Sequence, residues 1–262
     1  MAEFHSNIQD ESLIVSVVTV VRDHAGGLMK TYASLNCQDF QRWEMIIVVG
    51  DSTDQTLSSS YSLSVSDSRV KVFQQEGLGI YTAMNQGLKL ARGKYVWFMN
   101  AGDQFFSEGV LLRSVDKMGS AAIGLVVGGY AIRRNKGLEV YKYSGKLLTF
   151  LSFAYTRHGG CHQAMLFQTK LLKEIGGYNT RYLLASDFDL IIRVIKNAGA
   201  IRVSDIYAMI EPGGQADRSI LQVLSEKHQI RREHKLGNST FLISLVWTFL
   251  ARTKILMRGL IR

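Results

Sequence analysis

The chain has 262 residues, 47% of them hydrophobic and 20% charged, and its formal net charge is +9 at pH 7. This length and composition suit one large domain or two small ones with a substantial core, and they exclude an intrinsically disordered chain. Cys37 and Cys161 lie in unlike contexts without metal-ligand spacing, which excludes a disulfide framework and a cysteine zinc site and fits a reducing compartment. No basic segment followed by an apolar one opens the sequence, so we expect no signal peptide and a cytoplasmic location.

Strand and helix signals alternate along the first half of the chain. Apolar, β-branched runs predict strands over Leu13 to Val21, Met45 to Val49, Val70 to Phe73 and Tyr95 to Met99. Helical patterns fill the gaps between these runs. Because strands that are buried on both faces have this composition, the pattern predicts a parallel sheet with crossover helices, which is an α/β fold.

Two polar loops follow the second and third predicted strands. Gly50-Asp51-Ser52-Thr53-Asp54 opens a helix, where backbone amides and side-chain caps could face an anionic or polar ligand. Plain helix capping explains the same residues equally well. Gly77-Leu-Gly79 starts the next helix and would let the backbone approach a phosphate, although its spacing fits neither a dinucleotide fingerprint nor a P-loop.

The fourth predicted strand runs into a small polar turn, Asn100-Ala-Gly-Asp103. In an open α/β sheet, ligands lie beyond the carboxyl ends of the strands, so this turn puts a carboxylate where a metal ion or phosphate would bind. Gly-Asp is also ordinary turn chemistry. Asp103 is the first candidate for a functional residue.

The second half of the chain carries further candidates. His162-Gln163 precedes an apolar strand, where an imidazole can bond a substrate or, alternatively, the backbone. Asp187 begins an amphipathic helix, where it could be no more than an N-cap. Asp189 is a weaker candidate, because a first-turn carboxylate is also favoured by the helix dipole. Glu211-Pro-Gly-Gly-Gln215 is a loop that could close over a ligand or form a simple turn.

The end of the chain is basic and partly apolar. Residues 218–262 hold nine Lys or Arg against two Glu, which leaves +7 of the net charge there. The apolar stretch Phe241 to Ala251 is shorter than the roughly 20 residues that a bilayer-spanning helix needs. It could lie in a membrane interface beside anionic lipid, or pack on the protein's own core. Its apolar content argues against nucleic acid as the partner of this charge.

Taken in order, these motifs resemble the family 2 glycosyltransferases of GT-A fold. Within that family they look most like the bacterial enzymes of colanic acid, capsule and O-antigen synthesis. The motifs that carry the resemblance are Ser16-Val-Val-Thr19, Ser52-Thr-Asp54, Gly79-Ile-Tyr-Thr-Ala-Met-Asn-Gln-Gly87, Gly93-Lys-Tyr95, Asn100-Ala-Gly-Asp103, His162-Gln163, Gly176-Gly-Tyr178 and Ser186-Asp-Phe-Asp-Leu190. The resemblance implies a Rossmann-like nucleotide-diphospho-sugar transferase fold, with a mixed, mainly parallel sheet flanked by helices. We therefore expect a GT-A domain over residues 1–215 and a tail of basic amphipathic helices over residues 216–262.

The resemblance also implies a chemistry, that of a metal-dependent inverting transferase. Asp187 matches the family's catalytic base, and Asp103 matches the last acid of its DxD-type motif, which would hold Mn²⁺ or Mg²⁺. The residues that the resemblance places at the substrates are Thr19, Arg22, Asp51, Asp54, Gly79, Asn85, Asn100, His162, Gln163 and Gly214. The chain departs from the family at Gly50, where an acid often recognises the base, and at Asn100 and Gly102, where further acids would stand.

The expected partners follow from the same resemblance. They are a nucleotide-diphosphate sugar donor, a glycan or lipid-linked glycan acceptor, and the inner face of the cell membrane, contacted through the tail. No nucleic acid is expected. The alternative is a non-catalytic sugar-nucleotide-binding or assembly subunit of a polysaccharide-synthesis complex, which the missing acids at positions 50, 100 and 102 favour.

Overall fold

The structure is a computed structural model that describes residues 13–120, 123–134, 137–143, 147–148, 153, 161–213 and 219–236. The apolar stretch Phe241 to Ala251 and the predicted site residue Gly214 lie outside the described residues.

Ten strands of the described residues pair in one sheet. They are β1 (Val15–Val21), β2 (Trp43–Val49), β3 (Val70–Gln74), β4 (Tyr95–Phe98), β5 (Gln104–Phe105), β6 (Leu125–Arg134), β7 (Gly137–Tyr141), β8 (Leu147–Leu148), β9 (Met165–Gln168) and β10 (Ala200–Ile210). The helices are α1 (Ala25–Asn36), α2 (Thr56–Ser66), α3 (Ile80–Leu90), α4 (Val110–Gly119), α5 (Thr169–Glu174), α6 (Ser186–Ala198) and α7 (Ile220–Glu233), with a short 3₁₀ turn over His162–Ala164.

The strand order is β3-β2-β1-β4-β9-β6-β10-β5, with β7 paired to β6 and β8 paired to β10. The first four strands are parallel. Strand β9 runs antiparallel to both of its neighbours, β4 and β6, whereas β10 runs parallel to β6. The predicted α/β fold with a mixed, mainly parallel sheet is confirmed, and the four predicted strands correspond to β1–β4.

The core lies on both faces of the sheet. Every residue of β1 and of β2 is buried, and successive side chains alternate between two apolar clusters. On β1, for example, Val18 and Val20 belong to one cluster, and Val17 and Val21 to the other. This alternation is the period of two that a pleated strand imposes. Because both faces are covered, functional side chains of the central strands can reach solvent only at the strand ends.

Helix α7 packs against the domain although it begins after residue 215. Its Ile230 is fully buried in the same apolar cluster as Ile191 and Ile195 of α6. The domain boundary after residue 215 stays a prediction. Within the part of the chain that the structure describes, no helix combines the length and the apolar character that crossing a bilayer requires.

Candidate active site

The turn after β4 holds Asp103 at the carboxyl edge of the sheet. Its backbone closes with a hydrogen bond from Asp103 N to Asn100 O at 3.0 Å, and Gly102 adopts a left-handed φ of 100°. Thr31 of α1 holds this turn through hydrogen bonds to its backbone. The buried Thr31 hydroxyl lies 2.7 Å from the Asp103 carbonyl oxygen and accepts a hydrogen bond from Gly102 N at 3.0 Å. The turn is thus anchored by a neighbouring helix and not by its own sequence alone.

Asp103 is a buried carboxylate, only 5% exposed. Its Oδ1 accepts a hydrogen bond from the backbone N–H of Glu211, and its Oδ2 accepts one from Gln163 Nε2, both at 2.9 Å. Burial raises the pKa of Asp103 to about 6, against the lowering effect of these two hydrogen bonds. The structure therefore brings two of the predicted residues, Asp103 and Gln163, into direct contact.

The sequence indicated Glu211 only as the first residue of a loop that could close over a ligand, and gave its side chain no role. Its Oε2 lies 2.6 Å from His24 Nε2, and its Oε1 lies 3.2 Å from Lys30 Nζ. Burial opposes ionisation of Glu211, but the hydrogen bonds from His24 and Lys30 outweigh it and hold the pKa below its ordinary value. A Cβ on Gly102 would lie only 2.1 Å from Glu211 Oε2, so this second carboxylate sits directly over the turn. The available signal was the position of Glu211 just beyond β10, at the same edge of the sheet.

Asp187 occupies the first turn of α6. His162 Nδ1 lies 3.6 Å from Asp187 Oδ2, and the Asp187 side chain is 26% exposed. Burial disfavours the charged carboxylate, but the hydrogen bond and charge of His162 and the charge of Lys227 outweigh burial and lower the pKa of Asp187. An ionised carboxylate at neutral pH is what a general base requires.

The segment 161–163 connects the two carboxylates. Cys161 Sγ donates a hydrogen bond to Gln163 Oε1 at 2.6 Å, and the same amide donates to Asp103. Burial, together with the negative charges of Asp103 and Asp187, raises the pKa of the Cys161 thiol well above its ordinary value. His162, between these residues, faces Asp187. One three-residue segment therefore contacts Asp103 on one side and Asp187 on the other.

Several buried polar atoms near this edge have no hydrogen-bond partner among the described residues. They include Thr19 Oγ1, Asn100 Oδ1 and His162 Nε2, all in positions that the sequence assigned to substrate. Buried polar groups in folded proteins are nearly always paired with protein, water or ligand. These three atoms are therefore available to a bound ligand.

Other predicted residues are engaged with the protein or lie at the rim. The Asp54 carboxylate accepts hydrogen bonds from Ala25 N at 3.3 Å and Thr56 N at 2.8 Å, at the starts of α1 and α2. Asn85 exchanges two hydrogen bonds of 2.8 Å with the backbone of Tyr178. Arg22 and Asp51 are exposed beyond β1 and β2, and Gly79 precedes α3 with a left-handed φ of 93°.

Asp189 has a structural environment. Its two oxygens each lie 2.8 Å from a cationic or imidazole nitrogen, Arg193 Nε and His234 Nε2. The Asp189 side chain is 5% exposed, so it is more deeply buried than the Asp187 side chain, which is 26% exposed. Asp189 joins α6 to the end of α7.

The turn after β4 fits a divalent cation bound together with a nucleotide. In the described part of the chain, no group of three or more His, Cys, Asp or Glu could hold a metal ion unaided. The Asp103 carboxylate and the unpaired Asn100 amide oxygen are hard oxygen ligands on one turn. Mg²⁺ and Mn²⁺ accept such ligands, and phosphate or water commonly fills the other positions. Asp103 and Asn100 are thus the residues that would hold the ion.

Solved structures define the class of fold. The chain is similar to TarS of S. aureus in complex with UDP-GlcNAc, with a TM-score of 0.68 and 20% identity over 86% of this chain and 67% of that chain. It is also similar to the mannosyltransferase PcManGT from Pyrobaculum calidifontis in complex with GDP-Man and Mn²⁺, with a TM-score of 0.62 and 16% identity over 82% of this chain and 64% of that one. The fold is therefore the GT-A α/β fold.

Sequence comparison identifies the family. The profile of Glycosyl transferase family 2 matches residues 16–176. The chain is also 30% identical over 175 residues to the "PGL/p-HBAD biosynthesis glycosyltransferase" of Mycobacterium bovis, which covers 66% of this chain and 65% of that protein. The chain belongs to glycosyl transferase family 2.

Proposed function

We propose that this protein is a glycosyltransferase that moves a sugar from a nucleotide-diphosphate donor to a hydroxyl group of a glycan acceptor, with inversion at the anomeric carbon. The observation that carries the proposal is the placement of Asp103 and Asp187 on the two sides of the segment 161–163. Family membership and the nucleotide-sugar complexes of the similar structures support the same activity.

The donor diphosphate would lie at the turn after β4. Asp103 and Asn100 would hold Mn²⁺ or Mg²⁺ there, and the bound ion would offset the charge that develops on the departing diphosphate. Lys30 adds a positive charge beside the same turn, 3.2 Å from Glu211. The unpaired Thr19 hydroxyl and the exposed Arg22 and Asp51 would contact the nucleotide.

Asp187 would act as the base. The acceptor hydroxyl gives its proton to the Asp187 carboxylate while its oxygen bonds to the anomeric carbon and the bond from that carbon to the diphosphate oxygen breaks. A single displacement of this kind inverts the configuration. His162 orients Asp187 through its Nδ1, and its buried, unpaired Nε2 remains available to a substrate oxygen.

The acceptor that we propose is a lipid-linked glycan in the synthesis of a bacterial surface polysaccharide such as colanic acid, capsule or O-antigen. The support is the basic, partly apolar sequence from residue 216 onward, which suits contact with anionic lipid on the inner face of the cell membrane. A soluble glycan acceptor would not require that charge.

The activity is tested with a panel of nucleotide sugars and Mn²⁺ or Mg²⁺, by measuring nucleoside diphosphate release from wild type, Asp103→Asn and Asp187→Asn. We expect release from one donor, and loss of a general base lowers kcat by about 10²- to 10⁴-fold in Asp187→Asn. Asp103→Asn should abolish the release that depends on Mn²⁺ or Mg²⁺. Asp116→Asn, a change at an exposed residue of α4, is the matched control and should behave as wild type.

The same experiment tests the alternative of a non-catalytic binding subunit, which Gly50, Asn100 and Gly102 favour because they stand where acids are expected. Nucleotide binding that depends on metal, without release even after lipid-linked glycan extract is added, would support that alternative and contradict the transferase.

A further inference from the structure

The helix that carries Asp187 has no cap of its own. The residue at its N-cap position is Ala185, and no side-chain hydrogen bond caps the helix. Alanine is among the poorest N-cap residues because it has no side-chain acceptor for the backbone N–H groups of the first turn. The N–H group of Phe188 is bonded to the Asp187 carboxylate itself at 2.8 Å, whereas the peptide groups just before the helix take their acceptors from elsewhere in the protein.

Glu226 of α7 supplies the acceptors for three of these peptide groups. Its Oε2 accepts hydrogen bonds from the backbone N–H groups of Leu184 and Ala185, both at 2.9 Å. Its Oε1 accepts one from Leu183 N at 3.2 Å and another from Gln222 Nε2 at 3.2 Å. Hydrogen bonds from N–H groups to an ionised carboxylate are stronger than those between neutral groups. One side chain therefore fixes three consecutive peptide groups that lead directly into the helix.

The Tyr81 hydroxyl of α3 lies near the next two peptide groups. Burial raises the pKa of Tyr81, and the backbone of Ser186 and Asp187 acts against that rise. The peptide N–H groups of residues 183–185 are thus held by a side chain of α7. The direction of the Asp187 side chain depends on this backbone.

The position of α7 over α6 is fixed by other contacts. Glu233 accepts a hydrogen bond from the Tyr182 hydroxyl at 2.6 Å, and His234 Nε2 lies 2.8 Å from Asp189 Oδ1. Ile230 is fully buried between the elements. Because these contacts dock α7 independently of Glu226, removal of the Glu226 carboxylate should leave the helix in place while it releases the loop before Asp187.

We propose that Glu226 is a positioning residue for the proposed base: it holds the backbone of residues 183–185 and thereby keeps Asp187 in line with the acceptor hydroxyl. The inference rests on the proposed function, since it takes Asp187 as the base. Residue 226 lies beyond residue 176, where the match to the family profile ends.

The test compares wild type, Glu226→Ala, Glu226→Gln and Glu233→Ala in the full chain, with the donor and metal that give release in wild type. A misplacement of about 1 Å in a catalytic group costs about 100-fold in rate, so we expect that loss of kcat in Glu226→Ala. The KM for the donor should stay within about 2-fold, because donor contacts are not touched. Glu226→Gln keeps one acceptor oxygen and should recover part of the rate.

Glu233→Ala is the matched control, since it removes a carboxylate from the same helix that bonds the side chains of Tyr182 and Arg181 and not the backbone N–H groups of residues 183–185. We expect its kcat to remain near that of wild type. Hydrogen exchange of the amides of residues 183–185 should accelerate in Glu226→Ala and not in Glu233→Ala, which reports the loop directly.

Equal kcat in Glu226→Ala and wild type, or a parallel loss in Glu226→Ala and Glu233→Ala, would overturn the inference. If Glu226→Ala does not fold, the comparison of Glu226→Gln with Glu233→Ala decides in the same way. Failure of the proposed function would be recognised separately, as absence of release by wild type from every donor or as full activity of Asp187→Asn.

Discussion

Gly102 shows how one residue governs the candidate site. It has a φ of 100°, and an added Cβ would meet Glu211 Oε2 at 2.1 Å and His24 Nε2 at 3.0 Å. We predict that Gly102→Ala lowers the free energy of unfolding by about 1–3 kcal/mol through backbone strain. It should also weaken Mn²⁺-dependent binding of UDP or GDP, because the Glu211 side chain must leave its place. Urea unfolding and calorimetric titration measure the two effects.

Gly176→Ala is the control for this substitution. Gly176 has a comparable φ of 83°, but nothing lies within 4 Å of an added Cβ. The control therefore carries the backbone strain without the contact. Equal losses of nucleotide binding in the two variants would contradict a role for the contact between Gly102 and Glu211.

At the residue scale, the sequence indicates candidates at the ends of regular elements but not their distant partners. Asp103 and Asp187 are candidates of this kind, since one follows a strand and the other begins a helix. The bond from Thr56 N to Asp54 is local helix capping, but Asp54 also bonds Ala25 N, 29 residues away, and Asn85 bonds the backbone of Tyr178, 93 residues away. Glu211 donates its N–H to a carboxylate 108 residues distant. Such partners come from tertiary packing, which local patterns do not contain.

At the scale of elements, the turn between α2 and β3 carries a compact charged cluster. Asp67 accepts hydrogen bonds from Arg69 at 2.7 Å and 2.9 Å and from the Tyr32 hydroxyl at 3.0 Å. The Arg69 guanidinium stacks over Trp43 of β2, 3.7 Å from the ring centre. The hydrogen bonds from Arg69 lower the pKa of Asp67 from 3.8 to about 2. The cluster fastens α1, α2 and β2 to one turn.

This shift has a definite sign for stability. Since the pKa of Asp67 is lower in the folded than in the unfolded chain, its contribution of about 2 kcal/mol is present above pH 4 and is lost as the pH falls toward 2. We predict that urea unfolding of wild type and Asp67→Asn differs by this amount at pH 7 and that the difference shrinks toward pH 2. A difference that did not change with pH would contradict the prediction, and Asp116→Asn should follow wild type throughout.

The first four strands were predictable because each contains a run of β-branched or aromatic residues followed by a turn signal. Strand β9 was anticipated only as an apolar run after His162-Gln163. With four residues, it has too little pattern to show its direction, which is set by pairing with β4 and β6. Its antiparallel direction delivers residues 161–163 to the edge where the parallel strands end.

At the scale of the whole molecule, Asp189 joins the C-terminal helix to the domain through Arg193 and His234. We predict that Asp189→Asn lowers the free energy of unfolding by about 3 kcal/mol, as expected when one partner of a buried ion pair is removed. Its kcat should stay close to that of wild type at temperatures where the variant is folded. Urea unfolding and steady-state kinetics separate the two effects.

Asp187→Asn, two residues away, should behave in the opposite way, with its kcat lost and its stability little changed. If the Asp189→Asn variant folded as stably as wild type but had lost its activity, our proposal would have assigned the base to the wrong carboxylate.

The position of β9 in the middle of the sheet has a consequence during synthesis. The chain completes β1–β4 early, but one edge of β4 receives its partner only when residues 165–168 have left the ribosome. Until then the half-built sheet exposes an unpaired, apolar strand edge, which is the kind of surface that templates aggregation. The nascent protein therefore depends most on chaperones over the roughly seventy residues between the two strands, and slowing translation within that interval should lower its soluble yield.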